Sequence, residues 1–183
     1  FCKGNKTAGI GIRQHAEATV INNRILDNGS VAIGIRNGSK IIADKNTLSR
    51  KGGMPPLVAI LDNSQATLTD NDLSGGGVAG VLLQGNANIE NNRFHGNGPR
   101  KGGPPNFAIW VREGSEVTFS GNRVKGWRHA LFASKAKQVT ANDNQVHTFL
   151  GTALVIRDSE KPSTATGNRA FSDDPKAQAI EIN

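Results

Sequence analysis

The chain of 183 residues has no tyrosine, one cysteine, one methionine and two tryptophans. Its single thiol, Cys2, cannot form an internal disulfide, so no disulfide framework is expected. No apolar run reaches the roughly 18 residues that a membrane-spanning helix needs, and no secretory leader is visible. Aromatic residues are only 5% of the chain. A core must therefore be built mainly from aliphatic side chains and alanine.

Acidic residues are also scarce relative to basic ones, 15 against 22, which gives a net charge of +7. Such a balance favours a polyanionic partner, such as an acidic polysaccharide, a nucleic acid or an anionic surface. A basic surface that is merely solvated is the alternative. Nucleic acid ranks last because aromatic residues do not alternate with basic ones, as they do in platforms that bind single strands.

What the chain does contain is one line of sequence repeated seven times. Each copy reads as a strand, a short polar turn, a second strand, an asparagine turn and a third strand. The copies are Gly9–Ile25, Ala32–Leu48, Val58–Leu73, Ala79–Phe94, Ala108–Val124, Ala130–Val146 and Ala153–Ala170. The turn asparagines are Asn23, Asn46, Asn71, Asn92, Asn122, Asn144 and Asn168. A fixed period of this length indicates a stacked repeat architecture.

Apolar residues keep fixed distances from each turn asparagine, and their spacing of two within strands is β alternation. Three residues before it stand Val20, Ala43, Leu68, Ile89, Phe119, Ala141 and Ala165. Two residues after it stand Ile25, Leu48, Leu73, Phe94, Val124, Val146 and Ala170. Eleven before, Ile12, Ile35, Ile60, Val81, Val111 and Ala133 should also face the core. We expect the asparagines to adopt the left-handed turn conformation and to bond from copy to copy.

This pattern resembles the right-handed parallel β-helix of the pectate-lyase-like superfamily, repeat-containing carbohydrate-active proteins with an internal asparagine ladder. The resemblance implies an all-β fold, a single-stranded right-handed parallel solenoid of about seven to eight coils. It spans residues 1–183 as one domain. Neither end offers the polar cap that solenoids need, so we expect a section of a longer solenoid with flanking coils. An extracellular, periplasmic or cell-surface location is also expected.

Two columns of side chains are predicted on the outer face of the first strands. One column holds Gly11, Gly34, Ala59, Gly80, Trp110, Phe132 and Val155. The other holds Arg13, Arg36, Leu61, Leu82, Arg112, Ser134 and Arg157. An exposed tryptophan stacks on sugar rings, and arginine holds a carboxylate through two hydrogen bonds. In the enzymes that the chain resembles, the substrate groove runs along this sheet. The alternative is that Trp110 packs under a loop while the arginines are solvated.

Two long loops follow third strands, Ser49–Pro56 and His95–Pro105, and both contain Arg-Lys-Gly-Gly. They are two copies apart, on the side of the predicted groove. Loops of this kind carry function more often than the scaffold does. We therefore expect Arg50, Lys51 and Arg100 to bind substrate together with Arg13, Arg36, Trp110, Phe132 and Arg157. The alternative is that both loops merely reverse the chain.

The fold itself hosts lyases, hydrolases, epimerases, adhesins and inert stalks, so it does not decide the function. No metal-ligand, phosphate-loop, cysteine-pair or serine-nucleophile motif is present, so no cofactor and no metal are predicted. An acidic polysaccharide is the expected partner. If the chain is catalytic, metal-independent β-elimination needs only a base and a cation beside the uronate carboxyl. Lys101 and His129 are the candidate bases, and Arg112 is the candidate cation. The alternative is a non-catalytic stalk or carbohydrate-binding module.

A second basic column follows the asparagine turns. It holds Arg24, Arg93, Arg123 and Arg169, each one residue after a turn asparagine, and it is interrupted by Thr47, Asp72 and Gln145. Arg93 and Arg123 belong to neighbouring copies, so their charges repel unless an anion or an acidic side chain intervenes. We interpret this column as a solvated face.

Overall fold

A computed structural model describes residues 1–183 and consists of three parallel sheets without any helix. The first sheet holds β2 (Ile10–Ile12), β5 (Ile33–Ile35), β8 (Val58–Ile60), β11 (Ala79–Leu83), β14 (Phe107–Val111), β17 (His129–Ser134), β20 (Thr152–Arg157) and β23 (Gln178–Ile182). The second holds β3 (Glu17–Ile21), β6 (Lys40–Asp44), β9 (Gln65–Thr69), β12 (Asn86–Glu90), β15 (Glu116–Ser120), β18 (Gln138–Asn142) and β21 (Thr164–Thr166). The third holds β1 (Cys2–Lys3), β4 (Arg24–Leu26), β7 (Thr47–Arg50), β10 (Asp72–Gly75), β13 (Arg93–His95), β16 (Arg123–Lys125), β19 (Gln145–His147) and β22 (Arg169–Phe171).

Each strand pairs in parallel with the strand three places further along the chain. Three consecutive strands therefore make one coil, and about eight coils stack into a solenoid. The predicted all-β parallel solenoid is confirmed. The structure contains no helix that could span a membrane.

The core is a narrow stack of aliphatic side chains with a few aromatic ones. The residues three before and two after each turn asparagine are buried in the first six repeats. Phe94 and Phe119 meet inside with their ring centroids 6.2 Å apart. Trp127 is also buried, at 1% exposure, so only Trp110 of the two tryptophans lies near the surface. The predicted core register is confirmed at these positions.

At the fourth coil the predicted outer columns are wrong by two residues. Leu82, and not Gly80, aligns with Ala59 on one side and Trp110 on the other. Gln84 then takes the place given to Leu82, because its amide bonds to the Ile60 carbonyl. Leu83 likewise replaces Val81 beside the core residues Ile60 and Val111.

The cause of this shift is a shorter first turn. Leu83 lies nine residues before its turn asparagine, whereas Ile60 lies eleven before its own. Gly85 makes the tight turn possible, since a Cβ there would lie 2.3 Å from the Ser64 carbonyl oxygen. Counting eleven residues back from the asparagine therefore overshoots by two on the fourth coil. On the seventh coil it falls one short, because Ile156, the partner of Ala133, lies twelve before Asn168.

A ladder of asparagine side chains runs up the inside of the turn between the second and third sheets. The Asn122 Oδ1 accepts bonds from the Asn92 backbone amide at 2.9 Å and from its Nδ2 at 3.2 Å. The Asn92 Nδ2 also donates to the Leu68 carbonyl one coil back, at 2.8 Å. The same pattern links Asn23 through Asn168, although Asn23 contributes only its backbone amide. The predicted ladder is present.

The left-handed conformation belongs to the residue before each ladder asparagine, and not to the asparagine as we expected. Asn22, Lys45, Asp70, Asn91 and Asp143 have φ between 53° and 56°. Glycine takes this position at Gly121 and Gly167. The turn thus separates two tasks: one residue reverses the backbone, and the next turns its amide inward.

Replacing Asn92 with alanine should destabilise the solenoid by about 2–6 kcal/mol. The change leaves the Asn71 amide and the Leu68 carbonyl without partners, and each buried unsatisfied group costs about 1–3 kcal/mol. Urea unfolding of Asn92→Ala should be compared with that of Asn97→Ala, which changes an exposed asparagine in a loop. Equal stability of the two variants would contradict a structural role for the ladder.

Replacing Phe119 with alanine should cost about 3–5 kcal/mol, because its ring is fully buried and leaves a cavity. The adjacent Thr118 faces outward on β15, so Thr118→Ala is the matched control and should be nearly neutral. Thermal and urea unfolding report both changes. A neutral Phe119→Ala would show that the strand faces are assigned the wrong way round.

Candidate functional site

Four ring side chains form an aromatic cluster on the outer face of β14 and β17: Phe107, Trp110, His129 and Phe132. Phe107 stacks on Phe132 with centroids 4.8 Å apart and meets Trp110 edge-on at 5.8 Å. His129 lies 5.2 Å from the Phe107 ring and 5.8 Å from the Phe132 ring. Trp110 and Phe132 are in register on neighbouring coils and partly exposed. Phe107 is buried at 6% exposure, so Trp110 and Phe132 are the aromatic rings of the cluster that a ligand can contact.

Two guanidinium groups flank this aromatic cluster. The Cζ of Arg112 lies 4.8 Å from the centre of the Trp110 ring, within cation–π range. The Cζ of Arg157 lies 5.9 Å from the Phe132 ring, and its Nε donates to the Glu181 Oε1 at 2.7 Å. This hydrogen bond lowers the pKa of the Glu181 carboxyl. Arg112 forms no ion pair within the chain, so it is the cation free to meet an anion.

Sequence reasoning did not single out Glu181. Val155 continues the column of Trp110 and Phe132 on the next coil, and Glu181 pairs with Val155 one coil further. The signal was weak because Pro162 hides the register of the seventh copy. The structure shows that this irregularity is absorbed before β21, since Thr164 pairs with Thr140.

The surroundings of His129 favour its neutral form and one of its two tautomers. Its Nδ1 lies 2.6 Å from the Thr152 carbonyl oxygen. A carbonyl can only accept, so Nδ1 carries the proton and Nε2 keeps a free lone pair. Burial lowers the pKa of His129, and the nearby charges of Arg128 and Arg157 lower it further. These features are those of a general base that is ready near neutral pH.

The loop His95–Pro105 is tied to the same coil by Arg128. The Arg128 Nε donates to the Arg100 carbonyl at 2.7 Å, and its terminal nitrogen donates to the Gly102 carbonyl. Lys101 is therefore held beside the residue that precedes His129 in the chain. The side chains of Arg100 and Lys101 are exposed. Arg128 has a positioning role that the sequence pattern did not reveal.

The loop Ser49–Pro56 differs from its counterpart. Arg50 belongs to β7 and is 6% exposed. Its guanidinium donates to the carbonyls of Pro55 and Asn28 at 2.8 Å each, and to that of Ser30. The residue therefore ties backbone segments together and has no surface for substrate. Alternation could have indicated this, because Arg50 stands two residues after the buried Leu48 and so faces inward.

Lys51 remains on the surface, with 91% of its side chain exposed and its Nζ 4.0 Å from an Asp27 carboxylate oxygen. Arg13 and Arg36 are also exposed, on the first two coils of the first sheet. Leu61 and Gln84 separate them from Arg112, which corresponds to about 14 Å along the axis at a strand spacing near 4.8 Å. The predicted binding residues of the first sheet thus form two separate groups. Arg13 and Arg36 make up one group, and Arg112 belongs to the other, which contains the aromatic cluster.

The first sheet does not form a deep cleft around this cluster. A groove of about 490 Å³ lies instead on the second sheet, over Thr19, Ile42, Thr67, Asn88 and Thr118. A smaller pocket of about 360 Å³ lies at the loop around Arg50. No three histidine, cysteine or acidic side chains come together as a metal site. The aromatic cluster is an open face, which suits a polymer that lies along the solenoid.

A comparison with known protein families identifies the family of this chain. A family described as "Right handed beta helix region" matches residues 2–103 and, in an overlapping second match, residues 55–180. Comparison with curated proteins and with solved structures found no match. The two family matches together cover nearly the whole chain, and the parallel coils agree with them. The chain belongs to the right-handed beta helix family.

Proposed function

We propose that the protein binds an acidic, uronate-containing polysaccharide along the outer face of the first sheet, at the aromatic cluster. The observation that carries this proposal is the unpaired Arg112 guanidinium above the Trp110 ring. A uronate sugar offers an apolar ring face and a carboxylate, and these two side chains suit both. The net charge of +7 favours the approach of such a polymer.

In this proposal the aromatic rings contact the sugar rings of the polymer, and the basic side chains bind its carboxylates. Trp110 and Phe132 lie on neighbouring coils, roughly 4.8 Å apart along the axis, and their exposed parts offer apolar contact to sugar rings. Phe132 already stacks on Phe107, so Trp110 is the main ring of the two for a sugar. Arg112 binds a carboxylate through its planar pair of donors. Arg157 is less available because it is paired with Glu181. Arg100 and Lys101, on the loop tied by Arg128, extend the positive charge beside the cluster.

If the site is catalytic, the geometry favours β-elimination. The His129 Nε2 removes the proton from the carbon next to the uronate carboxyl, and Arg112 neutralises the charge that develops on that carboxyl. The electrons of the broken C–H bond form the C=C bond, and the glycosidic C–O bond breaks. The departing oxygen then takes a proton from Lys101 or from water. Lys101 stays the second candidate base, but only His129 has a defined tautomer and a lowered pKa.

A non-catalytic carbohydrate-binding module or stalk is the second candidate. The open face favours it, because no deep cleft excludes water from the aromatic cluster. Binding and cleavage therefore need separate tests. We also propose that the protein works outside the cytoplasm.

Trp110→Ala and Arg112→Ala should each weaken binding of polygalacturonate, because one removes a stacking surface and the other the carboxylate partner. The matched control is Lys40→Ala, which removes one exposed charge from the second sheet. Binding is measured by calorimetry at two salt concentrations, and affinity should fall as salt rises because exposed charges are screened. Parent-like binding by both first-sheet variants would end this assignment.

Lyase activity, followed by the ultraviolet absorbance of unsaturated products, should be lost in His129→Gln. A protonated imidazole cannot act as a base, so the rate should fall as pH drops through the His129 pKa. That pKa is lowered by burial, so the fall should occur below the ordinary histidine value of about 6.5. Loss of activity in Lys101→Ala alone, with a rate that rises only at alkaline pH, would make Lys101 the base instead.

A further inference from the structure

A second basic surface lies on the third sheet, away from the aromatic cluster. We call it the third-sheet basic face and define it by the outward side chains of β13, β16, β19 and β22. Its permanent cations are Arg93, Arg123, Lys125 and Arg169. All four residues are exposed, and His95 and His147 stand among them. The face extends over four consecutive coils.

The cations of this face are stacked in register. Arg93 pairs directly with Arg123 on the next coil, and His95 pairs with Lys125. Like charges directly opposite each other on neighbouring strands destabilise a sheet. No ion pair of the molecule includes one of these cations, and β16, β19 and β22 carry no acidic side chain. The one acidic side chain in the column is Asp72, at its end beside Arg93. Asp72 adjoins Arg93 on the preceding coil, and its carboxylate accepts a bond from the Ser74 hydroxyl at 3.0 Å.

Arg123, Lys125 and Arg169 have no acidic partner in register, so this run of exposed cations is suited to an anionic partner outside the fold. The strands here are three residues long, so the face is about 10 Å wide and fits one extended chain rather than a duplex. Its only ring side chain besides the histidines, Phe171, is already stacked on His147 at 4.6 Å and 11°. Phe171 is 50% exposed, but one ring at the end of the face cannot provide the series of stacking platforms that a single-stranded nucleic acid needs. A chain of sugars carrying anionic groups meets these conditions.

We propose that the third-sheet basic face binds a linear anionic polysaccharide, through its sulfate or carboxylate groups, along the solenoid axis. Arg93 and Arg169 lie three coils apart, a span of roughly 14 Å. The face belongs to a different sheet from the aromatic cluster and does not depend on it. It binds the polymer without chemistry, and it stands whether or not the first sheet binds or cleaves a glycan.

The test uses the whole chain and three probes: heparin as a sulfated glycan, polygalacturonate as a carboxylated glycan, and single-stranded oligothymidylate. Arg123→Gln and Lys125→Gln should each weaken binding of at least one glycan by about threefold to fivefold, as expected for one exposed charge pair. The dependence of affinity on salt should also become shallower in each variant. Binding of heparin alone would identify sulfate as the recognised group, and binding of both glycans would show that either anion suffices.

Gln145 provides a gain-of-function control in the same column, between Arg123 and Arg169. Gln145→Arg should tighten glycan binding and lower the melting temperature at low salt, because it adds a further in-register cation. Arg123→Gln should do the opposite on both counts. This opposed pair of effects shows that weaker binding does not come from misfolding.

Three results would overturn the proposal: parent-like glycan binding by both Arg123→Gln and Lys125→Gln, no binding of either glycan by the parent chain, or tighter binding of the oligonucleotide than of both glycans. Trp110→Ala separates the two surfaces. If the first-sheet proposal alone fails, Trp110→Ala binds as the parent does while the third-sheet variants still lose affinity. If this proposal alone fails, the reverse holds.

Discussion

The hydrogen bonding of buried asparagine side chains is the interaction on which the other features of this molecule depend. Each interior Oδ1 accepts from the backbone amide and the Nδ2 of the preceding asparagine, so every coil is joined to the next at one fixed height. A buried amide without partners is costly, and a shift of one coil against another would leave several unpaired. The ladder therefore enforces the strand register, and that register determines which outer side chains become neighbours.

The same constraint explains how residues far apart in the chain form a surface. Trp110 and Phe132 are 22 positions apart in sequence, yet they lie side by side because β14 and β17 pair in register. His129 gains its tautomer from a carbonyl one coil further on, and it gains its lowered pKa mainly from burial. Stacking also produces the third-sheet basic face, where repetition places cations opposite cations. Because the coils stack in register, residues one period apart in sequence form columns on the surface, with neighbours in a column about 4.8 Å apart.

Both proposed surfaces suit long polymers rather than small molecules. They are open, they run along the axis, and their cations lie on successive coils. The two surfaces differ in their side chains. The aromatic cluster combines cations with aromatic rings and an imidazole, whereas the third-sheet basic face consists almost entirely of cations. A polysaccharide could be recognised on the first surface and retained by charge on the second.

The sequence by itself determined the architecture and most of the core. The period of the turn asparagines and the alternation around them specify parallel coils, since one face of each strand must be apolar. The burial of Phe119 and the exposure of Arg112 could therefore be read directly.

Only the tertiary structure showed where the register predicted from the asparagine period was wrong. It also decided which side chains come into contact. A turn two residues shorter moved Leu82 into the column of Trp110, and a count from the asparagine cannot detect turn length. Arg50 and Arg100 share a motif, but only Arg50 begins its loop at an inward strand position and is buried. Glu181 has only a weak signal in the sequence, and Arg128 and the Thr152 carbonyl have none. Their roles arise from contacts between coils, which depend on the stacking of the folded chain rather than on neighbouring residues.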